Sequence, residues 1–248
     1  MNELKELLEF AVELGRGAGD ITLEYFRKKP ETSTKDDGSY VTIADREAEK
    51  YLRRQIAERF PDDGCLGEEE GESTGTSGRR WIVDPIDGTF AFVHGVPFYG
   101  VLIALEVDGE SVVGVVNIPA LGELVSAAKG LGCFLNGEPA RVSDTAELKD
   151  ALLLSTDFAA STERLRVRAK TSRTWGDCYG YVLVATGRAD VMLDPVMNLW
   201  DCAPLLPIME EAGGTFTDWR GARTIDGGDS IATNGVLFDE VMSLVGVR

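Results

Sequence analysis

Histidine is nearly absent from this chain: among 248 residues there is one, His94, and the four cysteines, Cys65, Cys133, Cys178 and Cys202, form no CxxC pair. A three-histidine zinc site, an HExxH helix and a zinc ribbon are therefore excluded, and any bound metal should be held by oxygen. Positive charge is scarce too, with 25 Lys and Arg against 42 Asp and Glu and a formal net charge of −17. Such a chain repels a nucleic-acid backbone, which needs Lys and Arg to displace its counterions, and it repels anionic membrane surfaces. An anionic small substrate is disfavoured likewise unless cations stand between it and the protein. No stretch approaches the roughly 20 apolar residues that span a bilayer. Met1 to Phe10 carries acids where a secretion signal would be basic and then apolar. The expectation is a cytoplasmic protein with reduced thiols, and with neither a nucleic-acid nor a membrane partner.

What is present suits a folded globular chain: 44% hydrophobic and 27% charged residues, enough for one large domain or two lobes sharing a core. Leu4, Leu7, Leu8, Ala11, Leu14, Ala18, Ile21 and Tyr25 recur at helical spacing, which predicts a long amphipathic helix ending before Pro30. A polar turn from Glu31 to Ser39 follows. Thr42 with Asp45 then reads as a capping pair for a second helix that Pro61 stops. The polar, glycine-rich stretch Asp62 to Arg80 precedes a buried strand, Trp81 to Val83. Phe98 to Val107, Ser111 to Ile118 and Leu124 to Ala128 predict an antiparallel meander, with hairpin signals at Asp108-Gly109 and Asn136-Gly137. Beyond about residue 145, strands are expected at Ala151 to Ser155, Asp190 to Leu193 and Thr215 to Thr217. Helices are expected at Asp177 to Thr186, from near Asp201 to Gly213-Gly214, and at Val236 to Leu244. This order fits an α+β class of mixed sheets layered with helices. It suggests an N-terminal lobe, 1–145, and a C-terminal lobe, 146–248, divided at the polar stretch Ser143 to Lys149.

The most informative string is Trp81-Ile82-Val83-Asp84-Pro85-Ile86-Asp87-Gly88-Thr89. A strand end places Asp84 at the sheet rim, Pro85 stiffens the turn, and Asp87 returns beside Asp84 with the Ile86 carbonyl pointing the same way. Two carboxylates and a carbonyl are hard oxygen ligands suited to Mg²⁺. Gly88 and Thr89 offer unobstructed amide hydrogens to a phosphate oxygen. On residue types alone, a ligand-free Asp/Gly turn remains the alternative. Gly67-Glu68-Glu69-Glu70 and Trp200-Asp201 add carboxylates; singly, the first also fits a solvated loop and the second a helix N-terminus stabilised by about 0.3–1 kcal/mol. Dehalogenase-type phosphatases also carry a strand-end Asp-x-Asp-Gly-Thr, but there one residue separates the aspartates. Here Pro85 and Ile86 both intervene, which favours two metal ligands over a nucleophile and an acid.

Gly67-Glu68-Glu69, Asp84-Pro85-Ile86-Asp87-Gly88-Thr89, Trp200-Asp201 and Glu211-Ala212-Gly213-Gly214 together resemble the inositol monophosphatase family of metal-dependent sugar phosphatases. Lys35 and Val41-Thr42-Ile43-Ala44-Asp45 extend the likeness toward the N-terminus, with Lys35 and Glu69 as accessory residues. The resemblance implies a five-layer αβαβα sandwich, a homodimer and two or three Mg²⁺ per site, replaceable by Mn²⁺. It implies Glu68, Asp84 and the Ile86 carbonyl on a first ion and Asp84, Asp87 and Asp201 on a second. It further implies that Thr89, bonded to Asp45, helps Glu68 prepare a metal-activated water for direct attack. Phosphate would rest on Asp87, Gly88 and Thr89, and Asp194 would meet the alcohol.

Arg173-Thr174-Trp175-Gly176-Asp177-Cys178-Tyr179-Gly180-Tyr181 is similar to the histidinol-phosphate phosphatase branch of that family. Histidinol phosphate carries an amine and an imidazole, for which Asp177, Asp194, Trp175 and Tyr179 are suitable partners. Trp175 and Tyr179 can equally be core or subunit-contact residues. Ala91 stands where many members have Asn, a departure that bears on inositol phosphate or fructose bisphosphate as substrate. The expected function is hydrolysis of L-histidinol phosphate. The alternatives are inositol 1-phosphate, fructose 1,6-bisphosphate or 3′-phosphoadenosine 5′-phosphate as substrate, or a non-catalytic cation-binding protein. His94 reads as a structural hydrogen-bonder and Cys202 as a small buried hydrophobe.

Overall fold

A computed structural model describes residues 2–36, 38–156 and 162–245. The long first helix forms as its periodicity predicts, α1 over Asn2–Tyr25, with Leu7, Leu8, Ala11, Leu14 and Ala18 buried along one stripe. The polar segment after it is less of a loop than its composition suggests. Strands β1, Thr32–Thr34, and β2, Tyr40–Thr42, pair as a small antiparallel hairpin. Thr42 and Asp45 then close a capping box on α2, Ile43–Arg59: the Asp45 carboxylate accepts from Thr42 N at 2.8 Å and Ala44 N donates to Thr42 Oγ1 at 3.1 Å.

The glycine-rich stretch also holds two strands that lack apolar alternation, β3 over Gly64–Gly67 and β4 over Gly71–Ser73. The strand predicted at Trp81 is longer than expected, β5 spanning Arg79–Asp87, and the five-residue helix α3, Thr89–Val93, follows it. The meander is β6, Gly100–Val107, β7, Glu110–Ile118, β8, Glu123–Ala128, β9, Gly132–Leu135, and β10, Glu138–Ala140. Both expected hairpin turns are present: Asp108 and Gly109 have φ of 51° and 84°, Asn136 and Gly137 of 51° and 87°, the left-handed pair that a two-residue turn between twisted strands requires. These strands form one eight-stranded sheet in the order β10-β9-β8-β7-β6-β5-β3-β4.

A second sheet, β12-β11-β13-β15-β14, comes from the rest of the chain. Its strands are β11, Leu152–Ser155, β12, Thr171–Arg173, β13, Val191–Asp194, β14, Thr215–Thr217, and β15, Ser230–Thr233. Short and without a periodic signal, β12 and β15 escape the sequence reading. The helices are α4, Glu163–Arg166, α5, Asp177–Ala185, α6, Leu199–Glu211, and α7, Phe238–Leu244. α1 and α2 cover one face of the large sheet, α5 and α6 lie between the sheets, and α4 and α7 cover the far face of the small one. The protein is thus an αβαβα sandwich of mixed α+β class.

Period-two strand geometry explains why both sheets read as near-continuous apolar runs. Val101 and Ile103 face α1 while Leu102 faces the middle helices; Leu153 packs outward beneath α7 while Leu154 packs inward. α6 sits unusually close to β7. Pro207 cannot donate to the Ala203 carbonyl one turn earlier, and Ser111 Oγ on β7 supplies that bond instead, at 2.6 Å. Gly114 on the same strand has no room for a side chain, since a Cβ there would stand 2.1 Å from the Pro204 carbonyl oxygen. Gly114→Ala is therefore expected to push α6 off the sheet and lower stability by about 1–3 kcal/mol, measured by urea denaturation.

Candidate functional site

The Asp84 to Thr89 turn is shaped by one irregularity. β5 pairs with β6 residue by residue as far as Asp84, and the register then shifts before Asp87. A shift of this kind bends a strand and re-aims its side chains. Pro85 has no amide hydrogen to lose, and Asp84 Oδ1 accepts from Ile86 N at 2.9 Å, closing the turn on itself. Gly88, at φ 81°, reverses the chain into α3, a conformation glycine adopts without penalty.

Three carboxylates meet here. One oxygen each from Asp84, Asp87 and Asp201 lie within 4.8 Å of one another. Each side chain is held by a backbone amide through an oxygen. Asp84 uses Ile86 N; Asp87 Oδ2 accepts from Cys178 N, at the start of α5, at 2.5 Å; Asp201 Oδ2 accepts from Asn198 N at 2.7 Å. Asn198, not Asp201, caps α6, so Asp201 lies in the first turn, where it completes the capping box and also faces the pocket. The pocket has a volume of about 340 Å³, and Glu68, Gly88, Thr89 and Asp177 share its walls. Glu68 stands outside the tight triad. Its Oε1 lies 2.6 Å from Lys35 Nζ, which holds Glu69 at the same distance.

The electrostatics follow from this crowding. Burial first, then the charges of Glu68, Asp87 and Asp201, push the Asp84 carboxyl well above the ordinary range. Burial, then Asp177 and Asp201, does the same to Asp87. Asp201 is pushed up to about 7, mainly by burial, against the lowering effect of its bond from Asn198 N. Burial alone would lower Lys35, but its hydrogen bonds to Glu68 and Glu69 outweigh that and raise it. Hard oxygens, excess negative charge and free lone pairs are what a divalent cation fits, and no nitrogen or sulfur ligand is needed.

Thr89 Oγ1 donates to the Ile86 carbonyl at 2.9 Å and lies 3.4 Å from Asp45 Oδ1. Burial raises Asp45 to about 6, although hydrogen bonds from Thr42 oppose it. Of the residues expected at the alcohol end, Asp177 lines the pocket, with Oδ2 3.1 Å from where a Gly88 Cβ would be. Trp175 and Asp194 do not line it. Trp175 is 39% exposed outside the pocket, and Asp194 is buried, accepting from Thr156 Oγ1 at 2.6 Å. Tyr179 stacks on Phe98 with centroids 4.8 Å apart, a packing role. The sequence reading missed Tyr40, Phe90 and Asn198 as pocket walls. Of these, Asn198 alone carried a signal, as a capping residue three positions before Asp201. His94 Nδ1 donates to the Phe90 carbonyl at 2.8 Å, and all four cysteines are unpaired and buried, Cys202 as expected and the other three with it. No helix among the described residues is long and apolar enough to cross a membrane.

Comparison with known proteins finds a matching family and relatives over most of the chain. Residues 3–245 match the model of the inositol monophosphatase family. A histidinol-phosphatase of Chlorobaculum parvum is 47% identical, over 96% of this chain and 96% of that protein. A histidinol-phosphatase of Mycobacterium tuberculosis is 43% identical, over 85% and 86%. Among solved structures, a Thermotoga maritima IMPase superposes with a TM-score of 0.90 at 33% identity, covering 97% of this chain and 96% of that one.

The raised carboxyls carry a sign. A carboxyl that holds its proton more tightly when folded contributes stability below its unfolded value and loses it as pH rises through the folded one. For Asp201 that window runs from the ordinary carboxyl value of 3.8 to about 7. Protein stripped of metal should therefore lose stability across it, and the rise in Tm on adding Mg²⁺ should be larger at about pH 8 than at about pH 5. Thermal melts at the two pH values, with and without the cation, check this.

Proposed function

The chain belongs to the inositol monophosphatase family, and from that premise we propose that it is a Mg²⁺-dependent phosphomonoesterase that hydrolyses L-histidinol phosphate to L-histidinol and phosphate. The observation that carries the reaction class is the trio of amide-anchored aspartates within 4.8 Å beside Gly88 and Thr89. A protein that only buffered cations would have no use for the phosphate cradle next to them. The substrate reading is supported by the two histidinol-phosphatase relatives and by the Asp177 carboxylate in the pocket wall, which suits a cationic alcohol.

Glu68, Asp84, the Ile86 carbonyl, Asp87 and Asp201 would hold the Mg²⁺. When bound, the ions would cancel the carboxylate charge, polarise the phosphoryl oxygens and lower the pKa of water at the site. The residues do the rest. The Gly88 and Thr89 amides bind and orient the phosphate. The Thr89 hydroxyl, which can turn its one hydrogen from the Ile86 carbonyl at 2.9 Å to Asp45 Oδ1 at 3.4 Å, takes a hydrogen bond from the attacking water and, once turned, passes its own proton to Asp45 Oδ1 as it accepts the water's. With its carboxyl raised to about 6, Asp45 is ionised near neutrality yet basic enough to accept that proton. Asp177 receives the ammonium or imidazolium end of the alcohol. Asp194, shielded from the pocket, would act on that end only through its charge.

Asp84→Asn and Asp201→Asn are each expected to lower kcat by more than about 100-fold while the folded circular-dichroism signal persists. In a phosphate-release panel of histidinol phosphate, inositol 1-phosphate, fructose 1,6-bisphosphate and adenosine 3′,5′-bisphosphate, the first should lead in kcat/KM by at least about tenfold, or about 1.4 kcal/mol. Equal rates on all four would refute the substrate and leave the reaction class standing. Full activity in excess EDTA would refute the metal requirement.

A further inference from the structure

Glu68, Glu69 and Glu70 occupy successive positions in the tight turn between β3 and β4. Lys35 pairs with Glu68 and Glu69, and Arg53 lies beside Glu70, but these side-chain pairs leave the turn's own amides in need of acceptors. Beneath it lies Glu49, from the middle of α2, with 0% of its surface exposed. Glu49 Oε2 accepts from Glu69 N at 2.7 Å; Glu49 Oε1 accepts from Glu70 N at 3.0 Å and from Arg53 Nε at 2.8 Å. Arg53 also donates through Nη2 to the Gly71 carbonyl. The carboxylate fills all the room under the turn, since a Cβ on Gly67 would stand 2.1 Å from Glu49 Oε1. One helical turn before Glu49, on the same face of α2, Asp45 reaches Thr89 Oγ1 at 3.4 Å.

We propose that Glu49 is a positioning residue for the phosphatase reaction: its buried carboxylate fixes the backbone of the Glu68 turn relative to Asp45 and Thr89, and thereby sets where Glu68 meets the metal. The inference rests on the function proposed above and extends it to a residue that touches neither cation nor substrate. Both carboxylate oxygens are required. Two amides donate to two different oxygens, and a glutamine would offer one oxygen and turn its NH₂ against an N–H. The amide left unpaired would be buried, and the turn would shift to regain water or another acceptor.

The test is calorimetric titration of Mn²⁺ into EDTA-stripped wild-type protein, Glu49→Gln, Glu49→Asp and Asp63→Asn. Asp63 is the control for general loss of stability. Its shielded carboxylate holds Arg79 Nε and Trp81 Nε1, each at 3.0 Å, at the opposite end of β5. Glu49→Gln should weaken Mn²⁺ binding by about tenfold or more, with Glu49→Asp intermediate and Asp63→Asn within about twofold of wild type. Faster hydrogen exchange at the Glu69 and Glu70 amides should accompany the loss. Wild-type affinity in both Glu49 variants, or an equal loss in Asp63→Asn, would overturn the positioning role alone. Absence of Mn²⁺ binding by the wild type would overturn both this inference and the reading beneath it.

Discussion

Repulsion among carboxylates gathered into one pocket is the constraint on which the rest of this structure turns. Two ionised groups with oxygens 4.8 Å apart, the limit within which the Asp84, Asp87 and Asp201 oxygens fall, repel by roughly 3–4 kcal/mol at an effective dielectric of 20. Three such pairs approach about 10 kcal/mol, comparable to the entire folding stability of a typical domain. The pocket therefore holds protons or cations, and the raised carboxyls record that choice in the protein alone.

The layered architecture makes such a cluster tolerable. Asp84 and Asp87 come from an inner strand of a sheet buried on both faces, Asp201 from a helix clamped between sheets, and Glu68 from a turn tied to α2. None of the three aspartates can swing into water without breaking the backbone bond that fixes it, and Glu68 is held by Lys35. Pro207 within α6 serves the same end. It frees the Ala203 carbonyl for Ser111, which fastens the helix bearing Asp201 to β7. Stability provided by the core is converted at this site into placement of charge.

Much of the site was legible in the sequence because its ligands sit in a local motif. Asp84-Pro85-Ile86-Asp87-Gly88-Thr89 encodes its own turn through Pro85, the Asp84 carboxylate and Gly88, and Thr42 with Asp45 announces the helix that reaches Thr89. The long helix and the meander were legible for the usual reason, apolar periodicity over many residues. What stayed hidden depends on contacts distant in the chain. β3 and β4 are strands because β5 pairs with β3, not because Gly64–Gly67 or Gly71–Ser73 favour extension. Asp194 and Trp175 flank the right motifs, yet tertiary packing turns one inward and the other outside the pocket. Glu49 looks like any surface acid in a helix rich in Arg and Glu, and only the turn folded over it reveals its burial.

The claim that cations take over the charge balance of the cluster is tested most directly by counting protons as they bind. Mn²⁺ is titrated into EDTA-stripped protein near pH 6.5 in two buffers of different ionisation enthalpy, and the difference in heat gives the protons released per chain. Carboxyls raised by burial and mutual repulsion should release about one proton or more on binding, fewer once Asp201 is replaced by Asn. Tight binding with no proton released would contradict the account, because it would mean that the carboxylates were already ionised and at ease without the metal.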